Sequence, residues 1–353
     1  MTLLVRDEED IVEDHLVYHL NQGVDFVVAT DNKSVDGTRD VLDRFHRLGY
    51  VEVIDEPDDT YDQWRWVTRM ARRAAIEHGA DWVINSDADE LWWPKTGDLR
   101  SVLEAVPARY GIVAAPRVNL VPPLDPPSGD AQPWYERMAL RETTSRNSLG
   151  APLPPKVCHR GEPDVVVEQG NHELRVSALT PAPGLHPIVI FHAPLRSWSQ
   201  LENKMVKGGA AYARNRELPA TVGDAWRSLH DLHARGGLRE WYDAQVPDDR
   251  ARRRGIEEGR FILDRRLAHF LATRARREPP FRDPSPPAAA PATALTAEPR
   301  ARPVARTSRP CQGRCLLSRG QTLLQPRLPL ARRSRLTRVA GCDGHTSGRT
   351  DGR

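Results

Sequence analysis

The 353-residue chain is poor in cysteine, in aromatic side chains and in long apolar runs. Its four cysteines (Cys158, Cys311, Cys315 and Cys342) form no Cys-x-x-Cys pair and no disulfide-type spacing, which favours a reducing, cytoplasmic setting. No stretch approaches 18 consecutive apolar residues, and the N-terminus lacks a basic region followed by an apolar one. We therefore expect neither a transmembrane helix nor a signal peptide.

Several common ligand-binding motifs are also missing. The chain has no G-x-G-x-x-G and no G-x-x-x-x-G-K-[ST], the main signatures of dinucleotide sites and P-loops. An EF-hand loop starting at Asp87 would need glycine where Trp92 stands and glutamate where Asp98 stands. The acidic stretch around residue 87 therefore needs another explanation.

Charge is distributed unevenly along the chain. The formal net charge is +3, but residues 281–353 hold 14 arginines, no lysine and 4 acidic residues, so the remainder is acidic. This C-terminal part is rich in Pro, Ala and Arg and shows no apolar period, so we predict a disordered tail over residues 280–353. Its charge predicts peripheral contact with anionic lipid at the inner face of a membrane.

Apolar periodicity predicts the fold class. Up to about residue 120, short apolar runs alternate with helical patterns, which is typical of parallel βαβ units in a helix-covered α/β sheet. Short proline-flanked strands follow up to about residue 200, among them "YERMALRE", and indicate an antiparallel extension or a second half-sheet. The segments "SQLENKMVKGGAAYARN" and "GIEEGRFILDRRLAHFLATRARR" have helical patterns.

Three polar clusters fall at predicted strand ends: "RDEED" (6–10), "TDNKSVDGT" (30–38) and "NSDADE" (85–90). In open α/β sheets, ligands bind beyond the carboxyl ends of the strands, so we expect these clusters to meet at a binding site. Each cluster taken alone is equally compatible with a turn and a helix cap.

Asp87 and Asp89 are the most informative pair. Two carboxylates one residue apart can reach one divalent cation, and carboxylates suit Mg²⁺ or Mn²⁺. A pair without a third neighbouring ligand indicates a cation shared with a phosphorylated substrate. An acidic, solvated turn is the alternative.

These segments together resemble a known family. "LLVRDEEDIVEDHLVYHLNQGVDFVVATDNKSVDGTRDVL" and "ADWVINSDADELWWP" are similar to the nucleotide-sugar-binding half of family 2 glycosyltransferases of the GT-A fold, in the bacterial "DxDE" subgroup. "PKVCHRG", "GNHEL" and "IFHAPLRSWSQLENKMVKGG" also resemble that subgroup, so the resemblance covers about residues 2–212.

The resemblance implies a metal site. Asp87 and Asp89 would form the DxD motif that binds Mn²⁺ or Mg²⁺ on the diphosphate of a nucleotide sugar. His172 or His192 would supply a further metal ligand, although a lone histidine is more often structural. A divalent cation would stabilise charge on the leaving phosphates.

The same resemblance implies roles for other residues. The donor would contact Arg6, Glu8, Asp31 and Asp87. The acceptor hydroxyl needs a base, for which Glu173 is favoured over Glu136 and Glu142. Further candidates are Lys156, Arg160, Arg196 and Lys204 for diphosphate or acceptor, although such cations are by default surface residues. Trp92 and Trp93 are candidates for stacking on a sugar, with core packing as the alternative for at least one of them.

We therefore predict a GT-A domain with a mixed, mostly parallel sheet flanked by helices. Residues 1–115 would bind the nucleotide sugar, and residues 116–275 would form the acceptor-side half and the C-terminal helices. The predicted activity is an inverting, metal-dependent hexosyltransferase acting on a glycan or lipid-linked acceptor in polysaccharide or cell-envelope synthesis, with no nucleic-acid partner.

Two alternatives remain at this point. A sugar-1-phosphate nucleotidyltransferase should carry a glycine-rich, basic loop after its first strand, where this chain has "RDEED". A non-catalytic GT-A-like binding protein would not need both Asp87 and Asp89.

Removal of residues 281–353 should leave turnover on a soluble acceptor unchanged. The segment shows no helical or strand period and lies beyond the family-like stretches. Steady-state kinetics of the truncated and full-length proteins would check this. An inactive or insoluble truncated protein would show that the tail is part of the fold.

Overall fold

The computed structural model describes residues 1–124, 132–176, 178–219 and 222–274. The predicted tail, residues 280–353, lies outside the described residues. The strands are β1 (Thr2–Val5), β2 (Val27–Asp31), β3 (Val51–Asp55), β4 (Trp82–Asp87), β5 (Glu90–Pro94), β6 (Ile112–Ala115), β7 (Arg117–Asn119), β8 (Leu140–Glu142), β9 (Lys156–Arg160), β10 (Val166–Val167), β11 (Leu174–Arg175), β12 (Ile188–His192) and β13 (Phe261–Leu263).

The α-helices of the described ranges are α1 (Val12–Asn21), α2 (Thr38–Arg47), α3 (Gln63–Ile76), α4 (Leu99–Glu104), α5 (Trp134–Arg137), α6 (Trp198–Lys204), α7 (Ala210–Arg214), α8 (Asp224–Ala234), α9 (Leu238–Gln245), α10 (Asp249–Glu257) and α11 (Arg266–Arg274). A 3-10 turn spans Gln169–Asn171, and a π-helical turn, Met205–Gly209, joins α6 to α7.

A six-stranded sheet in the order β3-β2-β1-β4-β9-β6 forms the centre of the fold. Strands β1 to β4 pair in parallel, whereas β9 is antiparallel to both of its neighbours. Parallel neighbours require crossover connections, which α1, α2 and α3 supply. Because helices cover the sheet, β1 is buried along its whole length and reads as a continuous apolar run. The predicted mixed α/β architecture with a parallel-containing sheet is confirmed.

A second sheet, β5-β12-β7, begins where β4 ends. β12 pairs antiparallel with β5 and parallel with β7. The chain passes from the first sheet to the second through Ala88 and Asp89, so the acidic stretch lies at the junction of two sheets. The register of both sheets therefore fixes the backbone on either side of Asp89.

The two tryptophans of this stretch belong to the hydrophobic core. Trp92 is fully buried, its Nε1 donates to Ser86 Oγ (3.2 Å), and its carbonyl oxygen accepts from Tyr18 Oη (3.0 Å). Trp93 packs on the core with its ring 5.6 Å from that of Phe191. The predicted stacking of these rings on a sugar is therefore corrected to core packing, which stabilises the β4–β5 junction.

Two segments differ from the expected secondary structure. "YERMALRE" does not form one strand: most of its first half lies in α5, which follows Pro133, and β8 begins only at Leu140. The predicted C-terminal helical segment is interrupted by β13, because Gly259 adopts φ +71° after α10 and β13 then pairs with β8. Apolar periodicity does not reveal this interruption, since a three-residue strand is too short to show a period.

None of the helices within the described ranges combines the length and apolar character needed to cross a membrane.

Candidate functional site

A cavity of about 660 Å³ opens at the carboxyl ends of β1 and β4. Its walls also include the end of β7, the start of β9, the end of β12, and the α6–π–α7 segment with α8. All three predicted polar clusters therefore contribute to one site, "RDEED" and "NSDADE" with several residues each, as expected for an open α/β sheet. From the second cluster, Asn32 lines the cavity.

Asp87 lines the cavity and is held by three hydrogen-bond donors. Its Oδ2 lies 2.5 Å from Lys156 Nζ, and its Oδ1 accepts from Gln63 Nε2 (3.1 Å) and Asn171 Nδ2 (3.3 Å). Lys156 also lies 3.2 Å from Glu90 Oε1. Both carboxylate oxygens of Asp87 are thus already paired with protein donors.

Asp89 faces the opposite direction, toward α6 and β12. Its Oδ2 accepts from Lys204 Nζ at 2.8 Å, and Lys204 Nζ is also 3.5 Å from Glu8 Oε1. Burial would raise the pKa of Asp89, but the Lys204 ammonium holds that pKa well below its usual range. Asp89 is therefore ionised at every physiological pH.

His192 is fixed in one tautomer. Asn119 Nδ2 donates to Glu142 Oε2 (3.1 Å) and to the Arg146 carbonyl (3.0 Å), so Asn119 Oδ1 accepts from His192 Nδ1 (2.8 Å). Burial lowers the pKa of His192 to about 3, so the ring is neutral and Nε2 carries a lone pair. That lone pair lies 3.9 Å from Asp89 Oδ2, which places two acceptors opposite each other.

His172 lies elsewhere on the cavity wall. Its Nδ1 donates to the Pro155 carbonyl (2.9 Å), and burial lowers its pKa to about 3. Within the described residues, no three His, Cys, Asp or Glu side chains come together as one set of metal ligands. The structure thus associates Asp89 with His192, while Asp87 and His172 lie apart from that pair.

A second group of ion pairs ties α6 and its preceding loop to the end of β1. Arg196, almost fully buried, contacts Glu8 and also donates to Asp10 Oδ2 (2.8 Å). Lys207 of the π-helical turn contacts Asp7. These pairs connect residues almost 200 positions apart in sequence, and they close one side of the cavity.

Only some of the residues predicted to contact the donor line the cavity. Arg6 and Glu8 line the cavity, and Arg6 donates to Asp59 Oδ1 (2.6 Å). Asp31, at the end of β2, is buried outside the cavity wall, where its Oδ1 accepts from the Ser34 backbone (3.0 Å). Asn32 stands at the wall in place of Asp31.

Two of the three predicted base candidates, Glu173 and Glu136, are not at the cavity, which corrects their assignment. Glu173 and Glu136 are both exposed and absent from the cavity wall, because β11 and α5 lie on the outer surface there. Arg160 also points elsewhere, with its guanidinium on the carbonyls of Tyr110 and Val106. Glu142, at the end of β8, is the member of the predicted glutamate set that lines the cavity.

An aromatic wall was not predicted from the sequence. Tyr61, Tyr212 and Trp226 line the cavity, with ring centroids 4.6 to 6.1 Å apart. Tyr61 adopts φ +51°, a left-handed backbone conformation that is rare for a bulky residue. The three residues come from separate segments, so the single-sequence pattern holds no signal for their meeting.

Comparison with known families gives one informative match. Residues 3–112 match the sequence model of glycosyltransferase family 92. The match supports a glycosyltransferase family. The matched segment covers less than a third of the chain, from β1 to the start of β6, and contains the "RDEED" and "NSDADE" clusters of the cavity. It does not confirm the predicted family 2 subgroup.

Other comparisons add little. No curated protein sequence matches the chain. A crystal structure of S. aureus TarS 1-349 is similar over 69% of this chain and 82% of that one, at 11% identity and a TM-score of 0.33. The same protein in complex with UDP matches over 70% and 75%, at 12% identity and a TM-score of 0.33. These TM-scores are too low to support a conclusion on fold or function.

The Lys204–Asp89 pair generates a testable prediction. Lys204→Met should lower the free energy of unfolding by about 3 kcal/mol, because it leaves the buried carboxylate of Asp89 without its lysine partner. Adding Asp89→Asn should recover part of that loss, since the unpaired charge is then removed. Urea denaturation of the two single variants and the double variant measures the coupling.

Lys95→Met is the matched control, because Lys95 is exposed. It should change stability by no more than about 0.5 kcal/mol. Equal stabilities of the Lys204→Met and Lys95→Met variants, or strict additivity in the double variant, would contradict a coupled buried pair.

Proposed function

We propose that this chain is a glycosyltransferase that moves a hexose from a nucleotide-diphosphate donor to a hydroxyl of a glycan or lipid-linked acceptor, with inversion at the anomeric carbon. The observation that carries the proposal is the convergence of paired carboxylates and cations in one cavity, within and beside the family-matched segment. Charges of both signs suit a diphosphate and its counter-cation.

The proposed fold is GT-A, with residues 1–115 as the donor-binding half and residues 116–275 as the acceptor side. The order β3-β2-β1-β4 and the cavity at the carboxyl ends of these strands support it. A cytoplasmic protein with peripheral membrane contact through residues 280–353 would meet a lipid-linked acceptor at the membrane surface.

The proposed cofactor is Mn²⁺ or Mg²⁺, and the Asp89–His192 pair fits it. A carboxylate oxygen and a neutral imidazole lone pair face each other at 3.9 Å, so a cation between them would have both as ligands. Carboxylate and imidazole are both ligands of Mn²⁺, and such cations are commonly completed by phosphate oxygens and water. When bound, the cation would neutralise charge that develops on the leaving diphosphate.

The lysines of the cavity have a complementary role in the proposal. Lys204 pairs with Asp89, and Lys207 contacts Asp7, so both ammonium groups lie beside the carboxylates at the strand ends. A diphosphate that enters here meets these two charges, and Lys156 on Asp87 supplies a third. The lysines would hold the diphosphate by charge-assisted hydrogen bonds.

Thermal-shift assays with UDP, GDP and dTDP, each with and without Mn²⁺, test the proposal directly. We expect one nucleoside diphosphate to stabilise the protein in a Mn²⁺-dependent manner, by about 2.7 kcal/mol at a ligand concentration of 100 Kd. Absence of stabilisation by all three nucleotides would refute a nucleotide-sugar site.

The Asp89→Asn variant tests in the same assay whether Asp89 binds the cation. The variant should lose the Mn²⁺-dependent part of the shift, because the neutral amide is a weaker cation ligand. Asp40→Asn is the matched control, since Asp40 is an exposed aspartate of α2 away from the cavity wall. An unaltered Mn²⁺ response in Asp89→Asn would remove Asp89 from the cation site.

A further inference from the structure

Glu142 occupies a distinctive position among the cavity carboxylates. It is the last residue of β8, half-buried, and held in register by pairing with Phe261 of β13. Its Oε2 accepts from Asn119 Nδ2 (3.1 Å), and Ser145 supplies a second side-chain hydrogen bond. The carboxylate therefore has a fixed orientation at the wall formed by β7 and β8, away from the strand-end cluster.

The other carboxylates of the wall are compensated by cations. Asp7, Glu8, Asp87 and Asp89 each lie within 4 Å of a lysine or arginine nitrogen. Across the described part of the chain, two wall carboxylates lack such a partner, Glu142 and Asp224. Asp224 is exposed at the first turn of α8, where its Oδ1 accepts from the Ala225 backbone (2.8 Å).

Proton affinity separates Glu142 from the paired carboxylates Asp7 and Asp89, whose pKa values are lowered. A neighbouring cation weakens a carboxylate as a base, as the lowered pKa of Asp89 illustrates. Burial raises the pKa of Glu142, against the hydrogen bonds from Ser145 and Asn119. A carboxylate with a raised pKa is a stronger base than one with a lowered pKa.

A short hydrogen-bonded chain links Glu142 to the Asp89–His192 pair. Asn119 donates to Glu142 and accepts from His192, whose Nε2 faces Asp89. One amide thus sets the orientation of the carboxylate and the tautomer of the imidazole. The unpaired carboxylate and the Asp89–His192 pair therefore line the same cavity and are joined through Asn119.

We propose that Glu142 is the general base that deprotonates the acceptor hydroxyl in the proposed glycosyl transfer. The assignment rests on the proposed function. The proton of the acceptor O–H passes to a Glu142 oxygen while the acceptor oxygen forms a bond to the anomeric carbon. The bond from that carbon to the diphosphate oxygen breaks, and its electron pair leaves with the nucleoside diphosphate. The proton on Glu142 is then released to solvent.

Nucleoside diphosphate release from UDP-, GDP- and dTDP-linked hexoses measures this step. The assay contains Mn²⁺ and uses water and a set of methyl glycosides as acceptors. Glu142→Gln keeps the shape and should lower kcat about 100-fold, the scale of general-base catalysis, with an unchanged KM for the donor. The wild-type kcat should fall as pH falls, because Glu142 must be ionised, and Glu142→Gln should lose that dependence.

Glu136→Gln and Glu173→Gln are matched controls on exposed glutamates, and both should retain wild-type turnover. Glu142→Asp keeps the charge and should retain the acidic limb of the pH profile at a lower kcat, which provides a second test if Glu142→Gln fails to fold. Wild-type turnover in Glu142→Gln, or loss of turnover in Glu173→Gln, would overturn the assignment.

Thermal shifts separate the two proposals. If no nucleoside diphosphate stabilises the wild-type protein, the nucleotide-sugar function itself fails. If Mn²⁺ and a nucleoside diphosphate stabilise wild type and Glu142→Gln equally but their turnover is also equal, the function stands and Glu142 is not the base. A wild-type protein that binds nucleotide but releases none from any donor also contradicts the assignment.

Discussion

Charge compensation across the cavity is the interaction on which the rest of the structure depends. The sheet topology brings the acidic ends of β1 and β4 together, where unpaired carboxylates would repel one another. Burying an ion without a partner costs several kcal/mol, so the fold requires cations from elsewhere in the chain. They come from β9, the loop before α6, α6 itself and the π-helical turn, as Lys156, Arg196, Lys204 and Lys207.

The α6–π–α7 segment positions two of these cations, Lys204 and Lys207. A π-helical turn changes the rotation of the helix, and such turns are frequent at functional sites. Gly208 and Gly209 belong to this turn, and a Cβ at either position would lie within 3 Å of Trp226 or His230 of α8. Close packing against α8 therefore holds the turn, and with it Lys204 and Lys207, over the strand ends. The same pairs would exchange partners when a diphosphate and a cation enter.

The sequence predicted the local features of this site and missed the long-range ones. Acidic residues directly after apolar runs identified the ends of β1 and β4, because strand periodicity and turn chemistry are local. The partners of these residues are distant: Lys204 lies 115 positions from Asp89, and Arg196 lies 188 from Glu8. No local pattern encodes such pairs.

The failed predictions have the same origin. Trp92 and Trp93 follow the acidic stretch directly, but β5 pairs into the second sheet, where Trp92 is fully buried and Trp93 packs on the core. Glu173 was favoured because it adjoins His172, yet adjacent residues in a strand or turn point to different sides. Glu142 is held at the cavity by β8, which pairs with β13 where that strand interrupts the C-terminal helices. A three-residue strand such as β13 leaves no recognisable pattern in the sequence.

The most direct test of this account is the position of the cation itself. Crystals soaked with Mn²⁺ and the nucleoside diphosphate that stabilises the protein would show the metal by its anomalous scattering. The account predicts a peak coordinated by Asp89 and His192 Nε2, with diphosphate oxygens on its remaining side and Lys204 moved from Asp89 onto the phosphates. A nucleotide bound outside the cavity, or a cation with no contact to Asp89 or His192, would contradict it.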